Sequence, residues 1–350
     1  MSGTQRTTGL ALRILILSSV LFGACSDSGT SERALAAREI RQLDIQQLGG
    51  STMGTGWSIQ WISELTSVDI EPDIQRELVR INALMSTWDP DSELSQFNSS
   101  VSTDPTELHA DTLAVIDAAL PISRLTAGRY DIALKPLIDL WGFSKNTATQ
   151  APDENAIASA QRLSGYRQLV RIGNTIRKRR PEVAIDVSSL AKGYAVDQLG
   201  RMLEQRGISR YLVDIGGELR GRGLRADGYP WRIGIESPDG DVPQLLALLD
   251  SQIASSGSYR NYRVEDGKRI SHIIDGATGR PIEHDLVSVS VVHRSTMLAD
   301  AWATALLVVG EVQAQKLIDE QGLAAQLTVY RDGQFERTSS DEFYKLLVTE

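Results

Sequence analysis

The fold class of this chain is indicated most clearly by one stretch, Ala184-Ile185-Asp186-Val187-Ser188-Ser189-Leu190-Ala191-Lys192-Gly193-Tyr194-Ala195-Val196-Asp197. Its apolar, β-branched beginning predicts a strand at 183–187. The residues after it predict a helix over 190–205. Ser188 or Ser189 is expected to cap this helix, because a short hydroxyl side chain accepts hydrogen bonds from a first helical turn. A strand that runs directly into a helix indicates a protein that combines both element types.

The same stretch carries groups that suit an anionic ligand. The start of a helix presents unpaired N–H groups to an anion, and Lys192 adds a positive charge one turn inside the predicted helix. A diphosphate site is one interpretation. The alternative is structural, since Asp186 and Ser188 are equally suited to ordinary capping.

Outside this stretch the chain mixes strands and helices in an irregular order. Helices are predicted at 73–88, 108–125, 296–309 and 311–321. Strands are predicted at 56–62, 168–172, 175–178, 211–215, 231–235, 245–254, 257–264, 271–274, 287–292 and 326–330. Because the elements do not alternate as β-α-β-α, we expect an α+β fold with mixed sheets and packed helices.

A second chemical signal lies in the late helix, in Leu298-Ala299-Asp300-Ala301-Trp302-Ala303-Thr304-Ala305. Asp300 and Thr304 are four residues apart and therefore share one helical face. A carboxylate and a hydroxyl are hard oxygen ligands of the kind that Mg²⁺ prefers. The simpler alternative is a hydrogen bond within the helix, without a metal.

His272 is the candidate for acid–base chemistry, since it lies where a predicted strand runs into a turn. Histidine is the usual residue for taking a proton from an alcohol near neutral pH, and a structural histidine at a strand end is the alternative.

The glycines of 214–223 match neither a Walker loop nor a Rossmann fingerprint, and Gly221 and Gly223 indicate a hairpin or bulge. The sequence has no Gly-x-Ser-x-Gly elbow, and its scattered histidines do not suggest a zinc site.

Composition limits the possible partners. The chain has 350 residues, of which 41% are hydrophobic and 23% charged, as in soluble globular proteins. The net charge of −9 argues against nucleic acid, which requires a basic surface. A small phosphorylated ligand stays possible, because a few local cations or a metal can override the global charge.

The N-terminus is predicted to be a signal peptide, with Arg6 and Arg13 near an apolar run at 14–24. The run is too short for a stable membrane span, which needs about 20 apolar residues. It ends in Leu21-Phe22-Gly23-Ala24-Cys25, which resembles a bacterial lipobox, although an ordinary secretory signal is the alternative. The predicted boundaries are 1–24 for the signal peptide, 25–47 for a lipidated N-terminus and tether, and 48–350 for the folded domain.

A series of segments, taken together and in order, resembles the ApbE family, the FAD:protein FMN transferases. The resemblance runs from about Gly50 to about Gly310. The segments are 51–55, 85–98, 128–131 with 140–143, 186–197, 215–218, 254–261, 272–279 and 299–305. Any one of them is a weak signal, but their common order is specific.

The resemblance implies roles for individual residues. Those expected to hold Mg²⁺ are Ser189, through its backbone carbonyl, Asp300 and Thr304. Those expected to contact FAD are Met53, Trp88, Arg129, Tyr130, Asp131, Asp186, Lys192 and the backbone near Ile274. Trp88 stands where the family often has tyrosine, and Arg129-Tyr130 where it often has Ala-Phe. Gly276 replaces a common proline, which is expected to loosen the turn after His272.

The implied reaction is Mg²⁺-dependent phosphoryl transfer. A threonine hydroxyl of an acceptor protein attacks the FMN-side phosphorus of FAD, which gives a phosphoester-linked flavin and AMP. His272 would take the proton of that hydroxyl, and Lys192, Asp186 and the helix start would complete the catalytic set. The resemblance also implies two apposed subdomains with FAD in a cleft between them.

Two other functions remain open at this point. An FAD pyrophosphatase would use water in place of the acceptor hydroxyl, and a flavin-carrying lipoprotein would bind FAD without chemistry. An iron–sulfur role is set aside, because the single cysteine cannot supply the several ligands that a cluster needs. The expected partners are flavoprotein subunits of membrane redox complexes, with a lipid on Cys25 anchoring the enzyme to a bacterial membrane on the periplasmic side.

Overall fold

The structure, a computed structural model, describes residues 44–144, 151–236, 244–259, 262–265 and 268–348. The predicted signal peptide, the predicted lipidation site Cys25 and most of the predicted tether lie outside these ranges. The described residues form one compact unit. The helices within the described ranges are not long and apolar enough to cross a bilayer.

Helices and strands both contribute to this unit. The helices are α1 (Ser67–Met85), α2 (Glu93–Ser99), α3 (Ala110–Leu125), α4 (Lys135–Leu140), α5 (Glu154–Leu163), α6 (Ser188–Gln205), α7 (Thr296–Val309), α8 (Glu311–Gln321) and α9 (Asp341–Tyr344), with a 3₁₀ turn at Tyr166–Gln168. The strands are β1 (Gln46–Thr52), β2 (Thr55–Trp61), β3 (Thr106–Glu107), β4 (Leu169–Ile172), β5 (Thr175–Lys178), β6 (Tyr211–Ile215), β7 (Glu218–Arg222), β8 (Trp231–Ile235), β9 (Gln244–Leu248), β10 (Ser251–Gly257), β11 (Tyr262–Glu265), β12 (Lys268–Ser271), β13 (Ile274–Asp275), β14 (Arg280–Pro281), β15 (Leu286–His293), β16 (Ala324–Arg331) and β17 (Gln334–Ser339).

The largest sheet joins distant parts of the chain in the order β1-β2-β6-β7-β10-β15-β16-β17. Its neighbouring strands are antiparallel. Smaller sheets pair β3-β5-β4, β8-β9, β11-β12 and β13-β14. This irregular mixture of sheets and helices confirms the predicted α+β class.

Helices α6 and α7 pack on the large sheet and on each other. Helix α7 is apolar on nearly every side, with Ala299, Ala301, Ala303, Leu306 and Leu307 all buried. A helix that is hydrophobic all round belongs in the interior. The polar residues on this helix therefore lie in a buried setting, where they need partners.

Residues 183–187 are not a strand, and this prediction was wrong. Their backbone is paired with a side chain rather than with a neighbouring strand. Asn98 accepts from the N–H of Ile185 at 2.7 Å and donates to its carbonyl at 2.8 Å, while the N–H of Asp186 donates to the carbonyl of Ile132 at 2.7 Å. An amide side chain carries both a donor and an acceptor, so Asn98 takes the place of a neighbouring strand.

Helix α6 begins at Ser188, and neither predicted serine is its N-cap. The N-cap residue is Val187, whose side chain has no acceptor. Asp186 takes over part of that task, because it accepts hydrogen bonds from the N–H of Ser188 at 2.8 Å and from its hydroxyl. The capping interpretation is therefore correct for Asp186 and incorrect for the serines.

Three predicted strands are interrupted. The strand predicted at 245–254 is two strands, β9 and β10, that turn at Asp250, which has φ 51° and accepts from the N–H of Gly223 at 3.0 Å. The strand predicted at 257–264 bends after Gly257, and the one predicted at 271–274 is broken at His272. The other predicted helices and strands are present, with shifts at their ends.

Candidate active site

A cleft of about 560 Å³ lies beside the beginning of helix α6, which is a typical size for a small-molecule site. Its walls come from α6, the turn between β6 and β7, strand β10, strand β13 and helix α7. The predicted site residues that line it are Tyr130, Asp131, Asp186, Ser189, Lys192, His272, Ile274, Asp300 and Thr304. Residues from four separate regions of the sequence thus meet in one place.

Helices α6 and α7 approach closely at Gly193. A Cβ atom on this residue would lie 2.4 Å from the carbonyl oxygen of Thr296, so only glycine fits. The close approach lets the N–H of Gly193 donate to Asp300 Oδ2 at 3.3 Å. It also places Nζ of Lys192 3.7 Å from the same oxygen. A backbone contact between the two helices therefore brings the lysine of one to the carboxylate of the other.

Glu218 is the residue of this cluster that was not among the site residues predicted from the sequence. Its carboxylate accepts from Lys192 Nζ at 2.8 Å and is buried. Gly216 and Gly217 precede it, with φ of 65° and 99°, and make the tight turn that ends β6 and starts β7. Such a turn strongly favours glycine at both positions. In the sequence, the glycine pair directly before Glu218 was the signal that could have pointed to this residue.

Burial governs the ionisation of this cluster. Burial raises the pKa of Glu218, with Lys192 opposing the rise and Asp300 adding to it. It also raises the pKa of Asp300, against the pull of Lys192. Burial alone would lower the pKa of Lys192, but the two carboxylates outweigh it and leave this pKa above its ordinary value. Two buried carboxylates around one ammonium favour the arrival of a further cation.

The predicted metal ligands fit Mg²⁺ in their chemistry. Asp300 and Thr304 lie one turn apart on α7 and both line the cleft. The hydroxyl of Thr304 is 2.9 Å from that of Ser256, and the hydroxyl of Ser189 is 3.0 Å from that of Tyr130. The carboxylate of Asp300 already lies beside one positive charge, the ammonium of Lys192.

The described ranges hold no group of three or more His, Cys, Asp or Glu side chains able to bind a metal. A site with one carboxylate suits Mg²⁺, which commonly takes one or two carboxylates together with water and substrate phosphate. Such a site would be completed by the diphosphate of a ligand rather than by further protein side chains.

Asp131 and Tyr130 also line the cleft. Asp131 accepts from the N–H of Ala133 at 2.9 Å and from the N–H of Tyr166 at 2.6 Å. Burial raises its pKa to about 6, although these two N–H groups oppose the rise. Burial also raises the pKa of Tyr130, so its hydroxyl stays protonated and is able to donate.

Three residues with predicted FAD contacts lie outside the described cleft lining. Met53 sits in the β1–β2 turn with φ 48° and packs against the core. The indole of Trp88 is 74% exposed. Arg129 binds Asp275 at 2.8 Å and donates to the carbonyls of Val308 and Val309 at the end of helix α7. The structure therefore gives Arg129 structural partners, and its predicted contact with FAD stays a prediction.

Gly276 is held tightly, contrary to the expected looser turn. Its N–H donates to the carbonyl of Arg129 at 2.9 Å. A Cβ atom here would lie 2.2 Å from the carbonyl oxygen of Gly128, so no side chain fits.

Gly221 and Gly223, in and after strand β7, also have no room for a side chain. A Cβ atom would lie 2.8 Å from Leu248 at Gly221 and 2.7 Å from a backbone oxygen at Gly223.

Comparison with known proteins agrees with this geometry. Residues 53–327 match the model of the ApbE family. The chain belongs to the ApbE family. The FAD:protein FMN transferase of Escherichia coli (strain K12) is 37% identical over 348 residues, which cover 97% of this chain and 98% of that protein. The FAD:protein FMN transferase of Vibrio cholerae serotype O1 is 39% identical over 307 residues, which cover 86% of this chain and 92% of that protein.

Solved structures of ApbE proteins share this fold. The flavin transferase ApbE from Vibrio cholerae superimposes with a TM-score of 0.82 at 38% identity, covering 87% of this chain and all of that one. The apo form of the flavinyl transferase ApbE from Pseudomonas stutzeri gives 0.81 at 32% identity, covering 87% of this chain and 97% of that one. The ApbE match contains every cleft residue named above, Glu218 included.

Proposed function

We propose that this ApbE protein transfers FMN from FAD onto a threonine hydroxyl of an acceptor flavoprotein and releases AMP. The observation that carries the proposal is the meeting of Lys192, Glu218 and Asp300 beside the first turn of α6. A helix start and an ammonium favour phosphate groups, while an adjacent carboxylate favours a metal. The family relatives described above carry this activity in their names.

Mg²⁺ is the proposed cofactor, with Asp300, Thr304 and the backbone carbonyl of Ser189 as its protein ligands. When bound, it would neutralise charge on the diphosphate of FAD. The hydroxyl of Ser256 orients Thr304, and the N–H of Gly193 orients Asp300. These partners hold the ligand oxygens in place before a cation binds, as supporting contacts do in metal sites.

The remaining cleft residues have defined tasks in this proposal. Lys192 stabilises the charge that develops on the phosphate in the transition state. Asp186 lines the cleft and holds the first turn of α6 in place. Tyr130 and Asp131, which also line the cleft, contact FAD.

His272 acts as the general base. It lies in the same cleft and accepts the proton of the threonine hydroxyl while the threonine oxygen forms its bond to the FMN-side phosphorus. The bond from that phosphorus to the oxygen of AMP breaks, and AMP leaves with the electron pair. The products are a phosphoester-linked FMN on the acceptor and free AMP.

The cellular setting is part of the proposal. A lipid on Cys25 would anchor the protein to a bacterial membrane, with the catalytic unit on the periplasmic side. The acceptors would then be flavoprotein subunits of membrane redox complexes. Metabolic labelling with a radioactive fatty acid tests the anchor: label is expected on the wild-type chain and not on Cys25→Ser.

Chromatographic analysis of flavin and nucleotide products tests the reaction. With FAD and Mg²⁺, AMP is expected to accumulate only when a threonine-bearing acceptor is present, and no free FMN should appear. Equal amounts of free FMN and AMP without an acceptor would show a pyrophosphatase. Intact FAD with every acceptor tested would show a flavin carrier.

A further inference from the structure

Asp197 links helix α6 to the beginning of helix α7. The side chain is 5% exposed. It accepts hydrogen bonds from the hydroxyl of Ser295 at 2.7 Å, the N–H of Thr296 at 3.0 Å, the hydroxyl of Thr296 at 2.9 Å and the N–H of Met297 at 3.2 Å. A single carboxylate on one helix therefore holds three successive residues at the start of the other.

Arg220 fixes this carboxylate from strand β7. Its Nη1 lies 3.4 Å from Asp197 Oδ1, and its other nitrogens bind Glu204 at 2.7 Å and the hydroxyl of Tyr211 at 2.8 Å. A Cβ atom on Gly200 would lie 2.6 Å from Arg220 Nε, so the glycine makes room for the guanidinium. Asp197 is therefore held from a second side and has little freedom to move.

Two ion pairs join the same strand to the same helix. Glu218 and Arg220 are two residues apart on β7 and therefore point to the same side of the sheet. Glu218 binds Lys192, and Arg220 binds Asp197. Lys192 reaches Asp300 on helix α7, while Asp197 reaches the first residues of that helix. The two ion pairs thus fix the positions of β7, α6 and α7 relative to one another.

The start of α7 also has an N-cap of its own. Ser295 is the N-cap of α7, and its hydroxyl accepts from the N–H of Leu298 at 3.4 Å. Asp197 adds a contact from a different helix. It therefore determines where α7 begins relative to α6. Asp300 lies about one helical turn after Thr296, so its position follows from where α7 begins.

We propose that Asp197 is a positioning residue for the metal site, acting through helix α7 on Asp300 and Thr304. This role rests on the proposed function, because it assumes Mg²⁺ at these two residues. Asp197 itself touches neither the metal nor FAD. Its loss lets the start of α7 shift relative to Lys192 and Ser189, which weakens metal binding without removing a ligand.

The test compares Asp197→Asn with Ser340→Ala, which removes the N-cap of helix α9, in the full chain. Mg²⁺ binding to the FAD-loaded protein is measured by isothermal titration calorimetry, and thermal unfolding is followed by circular dichroism. For Asp197→Asn, Mg²⁺ affinity is expected to fall about 10- to 100-fold, as for other residues that orient metal ligands. For Ser340→Ala, loss of the N-cap is expected to lower stability by about 1 kcal/mol, with Mg²⁺ affinity unchanged because Ser340 does not contact Asp197 or the cleft.

Thr296→Val provides a second variant in case Asp197→Asn does not fold. It removes only the hydroxyl contact to Asp197, so Mg²⁺ affinity is expected to fall about two- to tenfold. Wild-type Mg²⁺ affinity in the folded variants would overturn the role of Asp197 while leaving the proposed function intact. If the wild type itself bound no Mg²⁺, the metal part of the proposed function and the positioning role would both be wrong.

Discussion

Glu218 holds the ammonium of Lys192 at 2.8 Å, closer than Asp300 does at 3.7 Å. The other carboxylate oxygen of Glu218 is buried and has no hydrogen-bond partner within the part of the chain that the structure describes. Glu218 therefore restrains the lysine beside the start of α6 and keeps Asp300 from being its main partner. The carboxylate of Asp300 can therefore bind a metal.

Glu218→Gln should impair catalysis more than folding. The variant keeps the size of the side chain but removes the charge that holds Lys192. We expect FMN transfer to fall about 10- to 100-fold, by analogy with residues that orient catalytic groups. Single-turnover transfer measures the effect, with exposed Glu320→Gln on α8 as the matched control. Wild-type rates in Glu218→Gln would show that this ion pair has no part in the reaction.

His272→Ala should slow FMN transfer about 10²- to 10⁴-fold, the usual contribution of a general base. FAD affinity is expected to change far less, because the proposed contact is with the acceptor hydroxyl. Transfer kinetics and FAD titration separate the two effects. A variant with the full wild-type rate would remove His272 from the role of base.

Trp88→Ala should weaken FAD binding without destabilising the protein. The indole is 74% exposed, so its loss is expected to change the free energy of unfolding by no more than about 0.5 kcal/mol. If Trp88 stacks on bound FAD, affinity should fall about two- to tenfold, from about 0.5–1.5 kcal/mol of aromatic stacking. Fluorescence titration with FAD gives the answer, and unchanged affinity would exclude the contact.

Asp131 should make stability depend on pH. Burial raises its pKa from 3.8 to about 6, so the folded state binds its proton more tightly than the unfolded state does. Its contribution to stability is therefore fully present below pH 4 and is lost as the pH rises through 6.

The measurement is urea unfolding of the wild type and Asp131→Asn at pH 5 and pH 8. The difference in unfolding free energy, wild type minus variant, should fall by about 1 kcal/mol between these values. A difference that stayed constant or grew with pH would contradict the raised pKa.

Local features of this protein could be predicted from its sequence. Helix α7 has the predicted limits because its apolar residues continue on every face. Asp300 and Thr304 share a face because helical spacing alone requires it.

Features that depend on distant contacts could not be predicted in this way. Asn98 pairs with Ile185 across 87 positions of sequence, so an apolar segment that looks like a strand is not one. The partner of Glu218 lies 26 residues away on another element. Arg129 binds Asp275 across 146 positions, which no periodicity in either segment indicates. Each of these pairs is set by packing rather than by local pattern.

Intact-mass analysis of an acceptor protein tests the central claim most directly. The enzyme is incubated with FAD, Mg²⁺ and an acceptor that carries the target threonine, in parallel with Asp300→Ala and with a threonine-to-alanine acceptor. The acceptor is expected to gain the mass of one FMN residue only with wild-type enzyme, Mg²⁺ and the threonine. An unmodified acceptor together with free FMN and AMP, or equal modification by Asp300→Ala, would contradict the central claim.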